Sequence, residues 1–275
     1  MTIISQQQEG ARPAAHSAAW DPGQYERFKR ERAQPFFDLV TRIPDRPVRF
    51  AADLGCGTGE LTRQLLAKWP AAQIWGVDNS GQMLERARGG EPNHRLVFVE
   101  ADLRQWRSPQ ALDCIVSNAA LHWVPDHAGL LAQLASWLAP GGILAVQMPN
   151  TAGEPAYRLL AELTAQPRWA GALAARKRRP AIEAPEWYVG QLRALGHETD
   201  VWETIYYHQL PDALAIVEWL KGTSLRPILS ALSGHEALAS EFLSEYASGL
   251  TRLYPASTSG VIFPFRRLFF LARRS

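Results

Sequence analysis

Short apolar segments alternate with helical segments from about residue 48 to residue 149. The apolar segments have the length of strands, suit the β conformation and end in polar residues or glycine. The segments between them carry apolar residues at helical spacing and predict helices at residues 61–69 and about 126–138, and another capped by Ser80. This alternation predicts an α/β fold with a doubly wound, parallel sheet. The first five predicted strands are residues 48–54, 73–77, 96–100, 113–117 and 143–148.

The alternation stops after Pro149. Residues 153–180 and 212–253 are mainly helical, and a shorter helix is predicted at 186–195. Two further strands are predicted at 199–210 and 261–272, the last interrupted by Pro264. Because the two long helical stretches exceed the length of simple connections, we expect them to form a lid over the carboxyl ends of the strands.

The first residues of the chain follow neither pattern. Residues 1–18 have no periodicity and are expected to form a flexible leader. Asp21 and Pro22 can begin a helix with Tyr25, Phe28 and Arg32 on one face, and a second helix is predicted at 35–43. We therefore expect one domain at 19–275, with a core at 46–150, 184–210 and 261–275 and a lid at 20–45, 151–183 and 211–256.

A glycine turn follows the first predicted strand. Gly55, Gly57 and Gly59 have the spacing Gly-x-Gly-x-Gly, whereas a dinucleotide fingerprint would need glycine where Glu60 stands. Asp53 and Glu60 flank the turn and would repel a pyrophosphate, which needs the positive end of a helix. A ligand with a cationic centre would be tolerated. The segment resembles the first motif of the class I methyltransferases that use S-adenosylmethionine, a sulfonium.

The ends of the predicted strands supply the other candidate cofactor contacts. Asp78 is placed to accept the two ribose hydroxyls, and Met83 to pack on adenine. Asp102 can accept from the adenine amino group, and Asn118 lines the channel to the acceptor. NAD stays an alternative, because Asp78 would serve it too, and each acid could be a plain strand-end cap. The candidate cofactor residues are Asp53, Gly55, Cys56, Gly57, Gly59, Asp78, Asn79, Met83, Ala101, Asp102, Leu103, Asn118 and Ala119.

Composition narrows the class of protein. The net charge of +2 is too small to indicate a polyanionic partner, although residues 176–179 form a basic run. Cys56 and Cys114 lie far apart and form no Cys-x-x-Cys, so we expect neither a zinc or other metal site nor a disulfide scaffold, and a reducing cytoplasm. No apolar run approaches the ~18 residues of a membrane span. We expect a cytoplasmic monomer that binds neither membrane nor nucleic acid.

Five segments sharpen the resemblance to one family. They are residues 20–32, 117–127, 145–149, 201–209 and 263–269, and they resemble the trans-aconitate 2-methyltransferase family from residue 20 onward, least at 165–185. The resemblance implies a Rossmann-like class I methyltransferase fold, with a mostly parallel seven-stranded sheet, an antiparallel last strand and a helical lid. It also implies that S-adenosylmethionine methylates a carboxylate of trans-aconitate, giving a methyl ester and S-adenosylhomocysteine.

The residues are compatible with that chemistry. A carboxylate is ionised at pH 7 and needs no general base, whereas holding a polycarboxylate calls for arginine. Since strand side chains alternate, only one of Arg266 and Arg267 can face the site. His122 is a candidate base, donor or gate, and core packing is an open alternative for each aromatic residue. The candidate substrate residues are Trp20, Tyr25, Arg32, His122, Trp123, Tyr206, Tyr207, His208, Arg266 and Arg267, with Arg226 weaker.

Alternatives for the acceptor stay open. Another small acid, or an oxygen or carbon of a natural product, would suit the same cofactor site. Methylation of RNA is less favoured, because Ala119 and Ala120 replace the two prolines that follow the fourth strand in amino-methylating DNA enzymes.

Overall fold

The computed structural model describes residues 29–174, Arg176 and residues 182–275. The predicted leader and the predicted helix start at Asp21 lie outside the described residues, as do the candidates Trp20 and Tyr25. Phe28 of the same predicted helix and residues 177–179 of the basic run also lie outside them.

Seven strands form one sheet in the order β3-β2-β1-β4-β5-β7-β6. Strand β7 runs antiparallel to both of its neighbours, and the remaining pairs are parallel. The predicted doubly wound sheet with an antiparallel last strand is therefore confirmed. The strands are Phe50–Leu54 (β1), Gln73–Asp78 (β2), Leu96–Glu100 (β3), Leu112–Asn118 (β4), Leu138–Pro149 (β5), His197–Leu210 (β6) and Val261–Arg274 (β7).

Helices cover both faces of the sheet, which explains why the central strands are apolar without alternation. Phe36, Leu39 and Leu65 pack on one face of β1, and Leu134 and Tyr188 belong to the core on the other face. The helices are Lys29–Arg42 (α1), Glu60–Lys68 (α2), Gly81–Arg88 (α3), His127–Trp137 (α4), Pro155–Ala165 (α5), Pro167–Ala170 (α6), Pro185–Ala194 (α7), Ala213–Lys221 (α8), Arg226–Ala231 (α9) and Glu236–Leu253 (α10). None of the described helices is long and apolar enough to cross a membrane.

A third core joins the helices α5, α6, α8, α9 and α10 to the beginning of β7. Trp169, Trp219 and Phe242 are almost fully buried in it, together with Phe263 from β7. The hydroxyl of Tyr246 donates to the carbonyl of Ala156 over 3.0 Å, tying α10 to α5. This helical layer therefore packs on the sheet around a core of its own rather than as a set of surface loops.

Two predicted element starts, at residues 35 and 143, differ most from the structure. Within the described residues, helix α1 runs without a break from Lys29 through Pro35 to Arg42, so the separate helix start predicted at residue 35 was wrong. Proline removes one backbone hydrogen bond, but the buried side chains of Phe36 and Leu39 hold the helix in place across it. Strand β5 begins at Leu138, five residues before the predicted start, because the chain through Gly141 (φ 72°) stays in the sheet as an irregularity.

Candidate active site

The glycine turn lies at the carboxyl end of β1, close against β2. The backbone N–H groups of Gly55 and Cys56 donate to the carbonyl of Val77, over 2.7 and 3.1 Å. Gly55 has φ of 79°, and a Cβ there would lie 2.1 Å from the Cβ of Ala120. A side chain at Gly59 would lie 2.4 Å from the ring of Phe98. Both glycines are therefore required by close packing as well as by the turn.

Asp53 is a buried acid at the end of β1. Its carboxylate accepts a hydrogen bond of 2.6 Å from the hydroxyl of Thr62, and its side chain is 3% exposed. Burial raises its pKa to about 6, against the opposing effect of Thr62, and the charge of Asp78 raises it further. The carboxyl group of Asp53 is therefore about half ionised at mildly acid pH, and a nearby cation would favour its ionised form.

Asp78 connects the turn with the ends of β2 and β3. One carboxylate oxygen accepts from the N–H of Gly57 and the other from the N–H of Ser80, each over 2.9 Å. The N–H of Ala101 donates to the carbonyl of Asp78 over 2.9 Å. Each carboxylate oxygen keeps a further lone pair for a ligand hydroxyl. The candidate cofactor residues of β2 and β3 thus form a strip beside the turn.

Asp102, at the end of this strip, is held by a residue that the sequence did not single out. Arg104 donates to both carboxylate oxygens of Asp102, the shortest side-chain contact being 2.5 Å. These hydrogen bonds lower the pKa of Asp102 to about 2. An adenine amino group would have to share this carboxylate with Arg104. Arg104 follows Asp102 by two positions, a spacing that lets its side chain fold back onto the carboxylate within a turn. This spacing is the sequence feature from which the contact could have been predicted.

A cavity of about 270 Å³ lies between the glycine turn and the helical layer. It opens at the carboxyl ends of β1, β4 and β5, where ligands bind in open α/β sheets. The sequence candidates that line it are Arg32, Asp53, Gly55, Cys56, Gly57, Asn118, Ala119, His122, Trp123 and Arg267. The residues that the candidate set missed are Ala33, Phe36, Thr58, Glu60, Leu61, Pro149, Tyr157, Trp219, Thr223, Ser224 and Phe265.

Two arginines also line the cavity, each beside an aromatic ring. The guanidinium of Arg32 lies 5.4 Å from the ring of Trp219 and donates to the carbonyl of that residue over 3.2 Å. The guanidinium of Arg267 lies 4.3 Å from the ring of Phe265, and the rings of Trp219 and Phe265 are 5.8 Å apart. Both cations are thereby oriented by cation–π contacts.

Strand alternation separates Arg266 from Arg267. Arg267 lies on the cavity side and is 5% exposed, whereas Arg266 forms ion pairs of 3.3 Å with Glu154 and 3.2 Å with Glu203 on the other side. Of the two candidates, the structure therefore brings only Arg267 to the cavity, and Arg266 serves to attach the start of α5 to the sheet.

The three candidates on β6 do not line the cavity. Tyr206 donates from its hydroxyl to Asp38 of α1 over 2.5 Å, and Tyr207 is 67% exposed on the opposite face. The ring of His208 lies 4.7 Å from that of Trp219, behind the cavity wall. Burial and the charge of Arg267 lower the pKa of His208 to about 4, so it is neutral at pH 7. As a correction to the predicted substrate contacts, Tyr206 and His208 support the wall rather than form it.

His122 and Trp123 lie in a short 3-10 helix, Leu121–Trp123, at the mouth of the cavity. His122 is 3% exposed and Trp123 48% exposed, with ring centroids 5.0 Å apart. The buried pair His127 and Tyr188 holds this helix in place. Nε2 of His127 is 3.0 Å from the carbonyl of Leu121, and its Nδ1 is 2.5 Å from the hydroxyl of Tyr188. A carbonyl can only accept, so Nε2 carries the proton and Nδ1 accepts from the tyrosine.

Comparison with known proteins identifies the family. A methyltransferase domain model matches residues 51–142. A trans-aconitate 2-methyltransferase of Streptomyces coelicolor is 46% identical over 271 residues, covering 94% of this chain and 88% of the relative. A second, from Escherichia coli, is 42% identical over 257 residues, covering 93% and 98%. The chain belongs to the trans-aconitate 2-methyltransferase family.

Solved structures confirm the Rossmann-like methyltransferase fold for this member of the trans-aconitate 2-methyltransferase family. An S-adenosylmethionine-dependent methyltransferase from Mesorhizobium loti superposes with a TM-score of 0.52 at 21% identity, covering 90% of this chain and all of that one. A phosphoethanolamine N-methyltransferase from Haemonchus contortus, in complex with S-adenosylmethionine, gives 0.54 at 18% identity. The match covers 88% of this chain and about half, 52%, of that longer enzyme.

Proposed function

We propose that this protein transfers a methyl group from S-adenosylmethionine to a carboxylate of trans-aconitate, giving the methyl ester and S-adenosylhomocysteine. The observation that carries the proposal is that the glycine turn, Arg32 and Arg267 line one and the same cavity. Relatives named trans-aconitate 2-methyltransferase, matched over 88% and 98% of their lengths at 46% and 42% identity, support the choice of acid.

The turn fits the methyl donor. The space beside Gly57 is open for at least 4 Å where its side chain would be, so a ligand can approach the backbone. Asn118 also faces the cavity, and its buried Oδ1 has no hydrogen-bond partner among the residues that the structure describes. Asp53 and Asn118 Oδ1 would accept from the ammonium of the donor, and Asp78 from its ribose. When bound, the donor supplies an electrophilic methyl group on a cationic sulfur.

The two arginines fit an anionic acceptor. Arg32 and Arg267 would each hold one carboxylate, and the hydroxyls of Thr223 and Ser224 can donate to either. The third carboxylate is ionised at pH 7 and needs no base; its oxygen forms the new bond to carbon while the electron pair of the broken bond stays on sulfur. The contribution of the chain is to hold the reacting groups about 3 Å apart and dry.

The helical layer would complete this site as a lid. Tyr157 of α5 and Trp219 of α8 reach the cavity from that layer, and Arg32 reaches it from α1. The division into a core at 46–150, 184–210 and 261–275 and a lid at 20–45, 151–183 and 211–256 is part of the proposal. A cavity of about 270 Å³ suits a small molecule rather than a nucleic-acid strand, and both cysteines are free thiols, as in a reducing cytoplasm. We propose that the enzyme acts there as a monomer.

A panel of di- and tricarboxylic acids with a methyl-labelled donor tests the proposal. We expect label to enter trans-aconitate with the highest kcat/KM and to be released by mild alkali, as from an ester. Preferred labelling of another acid would show that the acceptor is that acid and not trans-aconitate. If no acid were labelled, carboxyl methylation would be rejected.

A further inference from the structure

Gln147 is a fully buried polar residue in the middle of β5, with 0% of its surface exposed. The residues on either side of it, Val146 and Met148, belong to the apolar core. Burying an amide costs free energy unless it forms hydrogen bonds, so a glutamine at this position needs a reason other than packing. Its Nε2 has no hydrogen-bond partner within the described part of the chain, whereas its Oε1 accepts from Nη1 of Arg267 over 3.4 Å.

The contact with Gln147 orients a cavity arginine through a neutral group. Arg267 lies between Gln147 and the ring of Phe265 at the cavity wall. Its neighbour Arg266 is instead attached by the carboxylates of Glu154 and Glu203. An amide oxygen can orient a guanidinium without adding a negative charge beside it.

The backbone of Gln147 contacts two residues that line the same cavity. Its carbonyl accepts from the N–H of Ala119 over 2.9 Å, and it pairs in register with Asn118 of β4. Ala119 has φ of 53°, in the left-handed region that alanine rarely adopts. One residue thus joins the turn beside the proposed donor site to the arginine of the proposed acceptor site.

We infer that Gln147 is a positioning residue that orients Arg267 toward a substrate carboxylate, and thereby makes the site select polycarboxylic acids. The inference rests on the proposed function and extends it by assigning part of the acid specificity to a residue that does not line the cavity.

Two variants separate orientation from charge. Gln147→Met keeps the volume and removes the acceptor, so we expect KM for trans-aconitate to rise about threefold to tenfold. Gln147→Glu keeps the acceptor but places a negative charge beside Arg267, so KM should rise by more than about tenfold. In both variants kcat and the Kd of S-adenosylmethionine should change by less than about threefold, because the backbone contact with Ala119 is retained. Gln209→Glu, at an exposed glutamine of β6, adds the same charge outside the site and should leave KM unchanged.

A double-mutant cycle tests whether Gln147 acts through Arg267. In an Arg267→Ala background, Gln147→Glu should have little further effect on KM, whereas in an Arg32→Ala background the two effects should multiply. Equal effects of Gln147→Glu with and without Arg267, or an unchanged KM in both single variants, would overturn the inference. Melting temperature and donor affinity verify that each variant is folded. If Gln147→Glu does not fold because its glutamate is buried, the same cycle is measured with Gln147→Met. A wild type that methylates no acid rejects the proposed function instead.

Discussion

The hydroxyl of Thr62 donates a 2.6 Å hydrogen bond to the carboxylate of Asp53, and both side chains are buried beneath the glycine turn. The hydrogen bond favours the charged carboxylate and burial favours the neutral acid, and burial has the larger effect. The outcome is a pKa of about 6 for Asp53, so that its charge responds both to pH and to a cation bound in the cavity.

Asp53 should make stability depend on pH in the direction opposite to that of most acids. Its pKa is raised from 3.8 to about 6, so the folded state binds the proton more tightly. Its contribution to the free energy of unfolding is full below the unfolded pKa and is lost as pH rises through the folded one. The free energy of unfolding of Asp53→Asn, measured in urea relative to that of wild type, should therefore increase by up to about 3 kcal/mol as pH rises from about 4 to about 7. A difference between the two proteins that does not vary with pH would contradict this.

Asp78 should matter for donor binding as well as for the fold of the turn. Asp78→Asn retains one acceptor oxygen but loses the charge and the second acceptor, so we expect the Kd of S-adenosylmethionine to rise by about tenfold or more in calorimetry. Asp113→Asn is a matched control, since Asp113 accepts from the N–H groups of Arg49 and Phe50 at the other end of β1. It should lower stability without changing Kd. Equal Kd values for wild type and Asp78→Asn would remove Asp78 from the ribose site.

Arg32 should affect acceptor binding alone. Arg32→Ala removes a cation oriented by Trp219, so KM for trans-aconitate should rise by about tenfold or more while the Kd of the donor stays within about twofold. Arg273→Ala removes an exposed arginine at the far end of β7, paired with Glu198, and serves as the control. If Arg32→Ala left KM unaltered, Arg32 would have no part in holding the acid.

His122 should not act as a general base. Because the acceptor carboxylate is already ionised, kcat for both wild type and His122→Ala should be independent of pH above about pH 6. Stopped-time assays across this range, with saturating donor and acid, measure it. A basic limb that is present in wild type and lost in His122→Ala would assign His122 the role of base.

Protonation of His208 should lower the stability of the protein as pH falls from 6.5 toward 4. Its pKa is lowered from 6.5 to about 4 because burial and Arg267 oppose its charged form. The stability it contributes is full above the unfolded pKa of 6.5 and is lost as pH falls toward 4. His208→Gln should therefore flatten the decline of melting temperature between these values, relative to wild type. An identical decline in both proteins would show that His208 titrates normally in the folded state.

Much of the fold follows from local patterns in the chain. The apolar runs at β1, β2 and β4 and the glycines after β1 determine strands and a tight turn through short-range sterics, which need no distant partner. The same patterns placed Asp53 and Asn118 at strand ends, where both now line the cavity. Alternation along β7 limited the choice to one of Arg266 and Arg267.

The tertiary structure alone decided the remainder. Arg267 rather than Arg266 faces the cavity because Pro149 and Thr204 are its partners in register, and no short window of sequence specifies that register. No motif in the sequence singles out Trp219, and packing alone brings it against Arg32, 187 residues earlier in the chain. Local sterics determine the elements of this protein, whereas contacts between distant segments determine which side chains share the cavity.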